Sequence, residues 1–528
     1  MHGISLCVDF WKTQLKDIPD KQLAQQVLET VSHGASIGCS IDTEQVNHMN
    51  WPSTAEHYEG VCQYIDTHKA TGAIAGSLTS LPANFRTSPL GAFIRKGTKK
   101  LRIIHDLSWP PGNSVNDSIN KEDFSVVYTS VSKAVQLCQQ LPTPWLAKTD
   151  LQDAYLACPV KISEANVLGF TWPDRLGRIG YYMYQSIALG LRSSAKIFDQ
   201  IASALNMICI NRGSTIRTIH YLDDILTIGA SKQECEQSLR TIVDTAHKCG
   251  FKIKQSKTVG PARAIEFLGL VIDTNKKTVH ISNERIAELR SELSKWKGVK
   301  KCTKRELLSL IGKLQFCSQV MYPGHMFLRR LIESSKMVKS LHYKVHLGIQ
   351  AQKDINWWIT NLATHKGRAW FPQPFDSTTA EIMFTDASGR AAAAVLGKNW
   401  TLIEFTGEYS WLRDKDIQFK EFYAVVLGVA TFGYQLHRKQ LLMNIDNEAV
   451  HHCIQAGKSQ NAELMGLVRA LYYYTTQHSI QYQSCHVAGV LNVLADSLTR
   501  NRLDVFFHHN PEAHRTMTRP CRILTDFN

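Results

Sequence analysis

Several features common in other classes of protein are missing from this chain of 528 residues. It has no run of 18 uncharged apolar residues, and Asp9, Lys12 and Lys16 interrupt its N-terminal segment, so we expect neither a membrane span nor a secretory signal. The thirteen cysteines are scattered singly, without a CxxC pair or a Cys/His spacing suited to zinc. We therefore expect reduced thiols and an intracellular location, in the cytoplasm, the nucleus or both.

Acidic residues are scarce relative to basic ones. The chain has 60 Lys and Arg against 46 Asp and Glu, which gives a net charge of +14 and a pI near 9.1. An excess of this size attracts polyanions. Hydrophobic residues make up 44% of the chain, enough for packed cores in several domains of roughly 150 residues each. The composition predicts a globular, multidomain protein whose leading partner is nucleic acid, with an anionic membrane as the weaker candidate.

Motif placement and shifts in composition divide the chain into segments. The predicted segments are an N-terminal extension at 1–80 whose role the sequence leaves open, an α+β region at 81–275, a helical region at 276–360, a linker at 361–378, an α/β domain at 379–505 and a basic tail at 506–528. Basic residues at 95–102 lie between short apolar runs, which is typical of two strands joined by a hairpin. Thr303 and Glu306 fit a capping box that begins a helix. Pro372 and Pro374 mark the linker.

Three aspartates in the α+β region stand next to apolar runs. Asp150 follows such a run, which favours the end of a strand, although a helix N-cap is the alternative. Asp223 and Asp224 lie between the apolar pairs Tyr221-Leu222 and Ile225-Leu226, where an ordinary turn would instead carry Gly, Asn or Pro. This order predicts a β-hairpin with acids at its tip. The three, here called the first carboxylate set, are hard oxygen ligands of the kind that a pair of Mg²⁺ ions about 3.5 to 4 Å apart requires.

Four blocks of sequence stand out along the chain: LRIIHDLS at 101–108, DLQDAY at 150–155, YLDD at 221–224 and FLGL at 267–270. In their order and spacing these blocks resemble reverse transcriptases. The resemblance implies an α+β right-hand polymerase made of fingers, palm and thumb. It also implies that the first carboxylate set, Asp150, Asp223 and Asp224, is the catalytic and metal-binding triad, with two Mg²⁺ ions or, as the alternative, Mn²⁺.

The same resemblance implies a set of substrate-binding residues, namely Arg95, Lys96, Arg102, Tyr155, Gly190 and Lys257. Arg102, with Lys96 or Arg95, would hold the incoming triphosphate, which suits guanidinium forks and ammonium charges. Tyr155 would exclude a ribose 2′-hydroxyl, with plain core packing as the alternative. Lys257 would lie near the leaving pyrophosphate, with an exposed loop lysine as the alternative.

One segment departs from the retroviral pattern. Retroviral enzymes carry Leu-Pro-Gln-Gly where this chain has Ile187-Ala188-Leu189-Gly190, so Gly190 is kept and Leu189 replaces the glutamine. The block from Ile104 to Asp117 looks more like DIRS-type, tyrosine-recombinase retrotransposons than like gypsy-type elements. We therefore expect a retroelement polyprotein that resembles the DIRS type.

The helical region is rich in positive charge. The basic residues are Lys295, Lys297, Lys300, Lys301, Lys304, Arg305 and Lys313, against the single acid Glu306 in that span. A basic helical face can follow a duplex backbone without reading its sequence. A solvated helix face and a nuclear-import signal are the alternative interpretations.

Four acids in the α/β domain form the second carboxylate set: Asp386, Glu421, Asp446 and Asp496. Asp386 and Asp446 each follow an apolar run, and Glu421 is expected to begin an amphipathic helix. Their spacing, and the inferred order of three strands, helix, strand, helices, strand and final helix, resemble ribonuclease H. This resemblance implies that all four acids are catalytic and bind two further Mg²⁺ ions. It also implies that His486, ten positions before Asp496, assists proton transfer or product release; an isolated surface histidine is the alternative.

The sequence thus predicts an RNA-directed and DNA-directed DNA polymerase with ribonuclease H activity. The expected partners are an RNA template, a DNA primer, RNA-DNA hybrid and deoxynucleoside triphosphates, with no membrane partner and the oligomeric state left open. Other functions of such an element, such as a protease or an integrase, are expected in other reading frames or beyond this chain. The rival hypothesis is a retroelement-derived nucleic-acid-binding protein without catalytic activity.

Overall fold

The computed structural model describes residues 6–40, 47–82, 84–94, 100–213, 216–321, 324–364, 367–371 and 375–523. It divides into two compact units, Met1–His280 and Ile281–Asn528, a coarser division than the six predicted segments. Arg95, Lys96, Pro372 and Pro374 lie outside the described residues. Within the described residues, no helix has the length and apolar character needed to cross a bilayer.

The first unit mixes helices with several small antiparallel sheets. Its helices are α1 Val8–Gln14, α2 Lys21–His33, α3 Ser53–Glu56, α4 Tyr58–Ala70, α5 Val131–Gln139, α6 Ile162–Ala165, α7 Ser194–Arg212 and α8 Lys232–Lys248. Its strands are β1 Ile74–Gly76, β2 Leu90–Ile94, β3 Leu101–His105, β4 Trp145–Gln152, β5 Gly169–Pro173, β6 Ile179–Tyr184, β7 Arg217–Tyr221, β8 Asp224–Gly229, β9 Lys252–Ile253, β10 Val259–Ala262, β11 Ala264–Phe267, β12 Leu270–Asp273 and β13 Thr278–His280. The predicted pairing of two short strands is confirmed, because β2 and β3 pair with Phe93 opposite Arg102, while the basic tip at 95–99 lies outside the described residues.

The central sheet of the first unit has the strand order β10-β4-β8-β7. Helices α7 and α8 pack against it. Strand β4 reads Trp-Leu-Ala-Lys-Thr-Asp-Leu-Gln, and its residues from Leu146 to Leu151 are mostly buried, as expected for a strand covered on both faces. Asp150 lies inside this strand, so the N-cap alternative for Asp150 is wrong.

The N-terminal residues pack as part of the first unit. Helix α2 lies against α7, and the fully buried Trp11 donates from Nε1 to the carbonyl oxygen of Cys249 at 3.0 Å. Trp11 belongs to the same hydrophobic cluster as Phe198 and Phe251. The start of the N-terminal extension, whose role the sequence left open, therefore completes the core beside the central sheet.

The second unit begins with helices and continues into a five-stranded sheet. Its helices are α9 Asn283–Ser294, α10 Lys304–Cys317, α11 Arg329–Lys336, α12 Ile349–Thr364, α13 Ile417–Phe432, α14 Glu448–Ala456, α15 Ala462–Gln477, α16 Val493–Thr499 and α17 Leu503–His509. Its strands are β14 Lys301–Thr303, β15 Lys344–His346, β16 Arg368–Trp370, β17 Glu381–Ala387, β18 Ala391–Leu396, β19 Asn399–Glu404, β20 Gln440–Ile445 and β21 Gln481–His486. The predicted capping box of Thr303 and Glu306 is present at the start of α10.

The five-stranded sheet has the order β19-β18-β17-β20-β21. The pairs β17–β20 and β20–β21 are parallel, and the other two pairs are antiparallel. Helices α13 and α16 both contact the sheet, and α13 also packs on α15. The element order inferred from the sequence is confirmed, with α17 added after the final predicted helix.

The described part of the basic tail lies along the edge strand β19. The amide of Thr518 donates to the carbonyl of Trp400 at 2.8 Å, and the amide of His514 donates to Lys398 at 3.0 Å. An unpaired edge strand is a site for pairing with another chain. The tail therefore shields the backbone groups that this edge would otherwise leave free.

Two details of the second unit correct the sequence interpretation. Helix α13 begins at Ile417, so Glu421 lies four residues inside it, and the helix is buried almost throughout rather than amphipathic. The basic residues from Lys295 to Lys301 lie on the connection between α9 and β14 and on β14 itself, not on one helical face. Their local pattern suggested a helix because the two neighbouring segments are helical.

A buried ion pair joins the helical region to the five-stranded part of the second unit. Asp354 on α12 is 1% exposed and lies 3.4 Å from Arg469 on α15 and 3.3 Å from Arg330 on α11. A buried charge that has lost a partner is strongly destabilising. This cluster therefore fixes α11, α12 and α15 together.

Candidate active sites

The first carboxylate set is brought together by two strands and a tight turn. Asp150 on β4 lies directly opposite Asp224 on β8 in the antiparallel register. Leu222 and Asp223 form the turn between β7 and β8, and Leu222 adopts a left-handed backbone with φ of 53°. The amide of Leu151 donates to the carbonyl oxygen of Asp223 at 3.0 Å, which fixes the turn to β4. The predicted hairpin with acids at its tip is confirmed.

Burial and mutual repulsion raise the pKa values of this set. Burial and the neighbouring Asp223 raise the pKa of Asp224 to about 6. Burial and the charge of Asp150 also raise the pKa of Asp223. Clustered carboxylates ionise together only when cations compensate their charge. The first carboxylate set therefore favours a bound cation.

One cation of the chain itself already faces the first carboxylate set. Lys257, on a 3₁₀ turn at Gln255–Lys257, donates from Nζ to Oδ2 of Asp150. Burial alone would lower the pKa of Lys257, but the hydrogen bond to Asp150 and the nearby acids raise it overall. Lys257 is exposed and lies on a turn, as the exposed-loop alternative requires, but it also contacts the first carboxylate set.

Lys254 is a neighbour of the first carboxylate set that the sequence analysis missed. Its amide donates to the carbonyl oxygen of Asp150 at 2.9 Å, and its charge lowers the pKa of Asp223. The signal available in the sequence was the spacing of Lys254 and Lys257 around one tight turn.

Tyrosines surround the first carboxylate set. Tyr155 packs on Phe198 with ring centroids 5.3 Å apart, as the core-packing alternative requires. Burial raises the pKa of Tyr155, and the charges of Tyr128 and Asp223 act in the same direction, so its hydroxyl also lies near the acids. Tyr128, which the sequence analysis missed, lies 5.1 Å from Tyr221 between ring centroids. Tyr155 thus belongs to both the core and the site.

Gly190 is required by a close backbone approach. Its φ of +112° is unfavourable for other residues, and a Cβ at this position would collide with the carbonyl oxygen of His105. Its own carbonyl oxygen accepts from Nδ2 of the buried Asn116 at 2.8 Å. Arg102 is exposed on β3, three residues before His105. The retained glycine is therefore explained by packing, independently of any substrate.

The second carboxylate set converges more tightly. Oxygen atoms of Asp386, Glu421 and Asp446 all lie within 4.8 Å of one another, and in the described part of the chain no other set of three possible ligands does so. Asp386 and Glu421 are each 5% exposed. Asp386 is on β17, Glu421 on α13 and Asp446 directly after β20, so neighbouring parallel strands and one packed helix position them.

Burial raises the pKa values of two acids of the second carboxylate set. Burial, then the charges of Asp386 and Asp446, raise the pKa of Glu421 to about 9. Burial also raises the pKa of Asp386 to about 6, although a hydrogen bond from Thr499 opposes this shift. Oε2 of Glu421 is buried without a hydrogen-bond partner. Hard oxygen donors with an orphaned buried atom among them fit a divalent cation such as Mg²⁺.

Asp496 and His486 lie at the margin of the second set. Asp496, on α16, accepts from Nε of Arg500 at 2.6 Å. Thr499 on the same helix donates from Oγ1 to Oδ2 of Asp386. His486 is exposed at the end of β21, and its Nε2 lies 3.1 Å from the carbonyl oxygen of Asp446. His486 is therefore a surface histidine that touches the site.

Thr499 and Arg500 were missed by the sequence analysis. They stand three and four positions after Asp496, which is the spacing that places side chains on one face of a helix. That spacing was the available signal.

The sequence of this chain matches one known protein family and several viral polyproteins. Residues 96–272 match the family model of the reverse transcriptase (RNA-dependent DNA polymerase). The Gag-Pro-Pol polyprotein of human T-cell leukemia virus 2 is 29% identical over 255 residues, which cover 47% of this chain and 15% of that polyprotein. The Gag-Pol polyprotein of feline leukemia virus is 23% identical over 222 residues, covering 42% and 12%. The chain thus spans less than a sixth of the length of these relatives.

Two solved structures share the fold. A foamy viral protease-reverse transcriptase dRH in complex with double-stranded DNA has a TM-score of 0.50 at 12% identity, covering 91% of this chain and 81% of that chain. The foamy viral protease-reverse transcriptase in complex with RNA/DNA hybrid also has a TM-score of 0.50 at 12% identity, covering 90% and 62%. The chain therefore has the predicted fold, a right-hand polymerase followed by an α/β ribonuclease H-like domain, and its residues 96–272 match the reverse transcriptase family model.

Proposed function

We propose that this chain is an RNA-directed and DNA-directed DNA polymerase that copies retroelement RNA into DNA and cleaves the RNA strand of RNA-DNA hybrids. The observation that carries the proposal is the convergence of three acids at the register pair Asp150–Asp224, inside the residues that match the reverse transcriptase family. The net charge of +14 suits nucleic acid as the partner.

At the first carboxylate set, Asp150, Asp223 and Asp224 would hold two Mg²⁺ ions. Such ions, when bound, make the primer 3′-hydroxyl a better nucleophile and neutralise the charge that develops on the departing pyrophosphate. The Lys257 ammonium, already bonded to Asp150, would donate to an oxygen of the leaving pyrophosphate. Arg102 would bind the incoming deoxynucleoside triphosphate, and Tyr155 would exclude a ribose 2′-hydroxyl. Gly190 would keep the backbone beneath the nucleotide close to β3.

The second carboxylate set would hydrolyse RNA with two further Mg²⁺ ions held by Asp386, Glu421, Asp446 and Asp496. Thr499 orients Asp386, and Arg500 orients Asp496. His486, exposed beside Asp446, would move a proton to or from solvent or help the product leave. The RNA strand would be recognised in part through its 2′-hydroxyls.

Primer extension with Mg²⁺ on a primed RNA template tests the polymerase. The wild-type chain should incorporate deoxynucleotides, and the variant with Asp223→Asn and Asp224→Asn should not. Cleavage of a labelled RNA-DNA hybrid should persist in that variant and disappear with Asp446→Asn. The variant with Asp223→Asn and Asp224→Asn leaves the second carboxylate set intact, and Asp446→Asn leaves the first intact. The activity that each variant keeps therefore shows that it is folded. Extension that survives Asp223→Asn with Asp224→Asn would refute the assignment of the first carboxylate set.

The rival hypothesis is a nucleic-acid-binding protein derived from a retroelement. It predicts salt-dependent binding of hybrid without extension or cleavage by the wild-type chain. The retention of all seven acids in the two carboxylate sets favours an enzyme, since a chain without catalytic function has no need to bury acids that repel one another.

We also propose that the element is of the DIRS type. The support is the block from Ile104 to Asp117, together with Leu189 where retroviral enzymes carry glutamine. Sequencing the genomic DNA on both sides of the coding region tests this proposal. An adjacent reading frame for a tyrosine recombinase is expected, and an integrase frame in its place would contradict the proposal.

A further inference from the structure

A cavity of about 850 Å³ opens beside the second carboxylate set. Its walls come from the turn between β17 and β18, the end of β19 and the segment that follows Leu498 on α16. None of the acids of the second carboxylate set lines it. The cavity is therefore a neighbour of the second set and not the set itself.

The charge of this cavity is strongly positive. Arg390, Arg413, Arg500 and Arg502 line it against the single acid Glu404. Arg413 donates from Nε to the carbonyl oxygen of Phe405 at 2.7 Å. The side chains of Arg390 and Arg502 are exposed and make no hydrogen bond or ion pair with any described residue. Two guanidinium groups are thus free to bind a ligand.

The cavity and the second carboxylate set share a wall. Arg500 lines the cavity and bonds to Asp496, and Thr499 lines the cavity and bonds to Asp386. A polymer lying over the acids therefore passes next to this cavity. Guanidinium forks match the paired oxygens of a phosphate group.

We propose that this cavity binds phosphodiester groups of the RNA strand that is being cut, next to the bond that is cleaved. This inference rests on the proposed ribonuclease H function and adds the strand and the residues that hold it. The cut strand is favoured over its DNA complement because successive phosphates of one strand lie side by side, whereas those of the complement lie across a groove. Arg390 and Arg502 are positioning residues for this strand.

Hybrid cleavage by the full chain tests the inference. The double variant Arg390→Gln with Arg502→Gln should reduce kcat/KM for an RNA-DNA hybrid by about tenfold or more, because charge-assisted contacts are lost. In a plot of log kcat/KM against log salt concentration, the downward slope should be smaller for the double variant than for the wild type, by about 1 to 2. Primer extension on the same hybrid and the Tm of the chain should be unchanged, which shows that both units of the variant are folded.

The matched control is Arg438→Gln with Arg519→Gln. These arginines are also exposed in the second unit, do not line the cavity and have no described side-chain partner, so the control removes the same charge elsewhere. It should leave kcat/KM and the salt slope as in the wild type. Equal effects of the two double variants, or no effect of either, would overturn the inference.

A footprint without divalent metal separates this inference from the proposed function. Ethylnitrosourea should modify the RNA phosphates of bound hybrid less in the wild type than in Arg390→Gln with Arg502→Gln, at a few adjacent positions. If the wild type does not cleave hybrid but this difference persists, the ribonuclease H proposal fails and the phosphate site stands. A difference confined to the DNA strand, or no difference, would overturn the assignment to the RNA strand.

Discussion

At the scale of single residues, a lysine of the chain competes for an oxygen that a metal ion would use. The Lys257 ammonium bonds to Oδ2 of Asp150, and its charge opposes part of the rise in the pKa values of Asp223 and Asp224. A divalent ion at this site must share or replace that contact. The first carboxylate set therefore exists in a form that its own lysine partly neutralises.

Lys257→Met is expected to lower the Mg²⁺ concentration that gives half-maximal primer extension. The ammonium would no longer compete for Asp150 or repel the metal, and loss of an interaction of about 1 kcal/mol corresponds to a shift of roughly fivefold. Titration of Mg²⁺ in an extension assay measures this shift. Lys252→Met, an exposed neighbour on β9, is the control and should leave the concentration unchanged. A higher half-maximal concentration for Lys257→Met would contradict the argument.

Glu421 shows how a buried acid links stability to pH. Its pKa is raised to about 9 by burial and by Asp386 and Asp446, well above its value in an unfolded chain. A group of this kind stabilises the fold fully below its unfolded pKa, and this contribution is lost as pH rises through its folded pKa. The metal-free protein should therefore lose stability from about pH 4.5 up to about pH 9 on account of this residue.

Glu421→Gln should raise the Tm of the metal-free protein at pH 8 by about 2 to 4 °C for each kcal/mol gained. The gain should shrink as the pH is lowered toward and below 4.5, because the wild-type carboxyl then becomes protonated in the unfolded state as well as in the folded state. Thermal unfolding at several pH values in a chelator measures it. Glu408→Gln, an exposed acid in the same unit, should show no such dependence. A gain that does not change with pH would argue against a raised pKa at Glu421.

At the scale of elements, α1 closes the core next to the central sheet. Trp11 is fully buried, and its Nε1 donates to Cys249, a residue 238 positions away in the sequence. Such a contact makes the N-terminal helix part of the first unit's stability. The first carboxylate set depends on strands that this core supports.

Trp11→Ala should destabilise the first unit by about 3 to 5 kcal/mol, the usual range for removing a large buried aromatic side chain. Chemical denaturation followed by loss of primer extension measures this cost. Lys12→Ala, the exposed neighbour on the same helix, should change stability by less than about 0.5 kcal/mol. Equal effects of the two substitutions would mean that α1 is not docked as described.

At the scale of the whole molecule, the positive charge is unevenly placed. Lys295, Lys297 and Lys300 on the connection between α9 and β14, and Lys301 at the start of β14, are all exposed within seven residues. Affinity for a duplex depends on salt in proportion to the number of phosphates that are neutralised. The position of this segment, and not only the total of +14, should therefore set the salt dependence.

Replacing these four lysines with glutamine should make the dissociation constant for a primer-template less dependent on salt. The slope of log Kd against log salt should fall by about 0.9 for each lysine that contacts a phosphate. Fluorescence anisotropy at several salt concentrations measures the slope. The control replaces Lys12, Lys133, Lys232 and Lys252, which are exposed in the first unit, and removes the same charge. An equal change in both variants would mean that total charge alone controls binding.

The sequence by itself determined the features that depend on neighbouring residues. The segment from Tyr221 to Leu226 specified the hairpin. Its two acids lie between apolar pairs that form strands, so the charged side chains were expected at the turn that joins those strands. Thr303 and Glu306 specified the start of α10, because both halves of a capping box lie three residues apart. Asp150, Asp223, Asp224, Asp386 and Asp446 stood out next to short apolar segments, whereas the roles of all seven acids, and the choice of Glu421 and Asp496, came from the resemblance to reverse transcriptases and ribonuclease H.

Only the tertiary structure decided the features that join distant parts of the chain. Lys257 meets Asp150 across 107 residues, and Thr499 meets Asp386 across 113, distances over which local patterns carry no information. The start of α13 was misplaced because the packed interior, and not an amphipathic pattern, determines which faces of that helix are buried. The cavity with its four arginines comes from three separate segments, so its charge became visible only when the folded sheet and α16 brought them together.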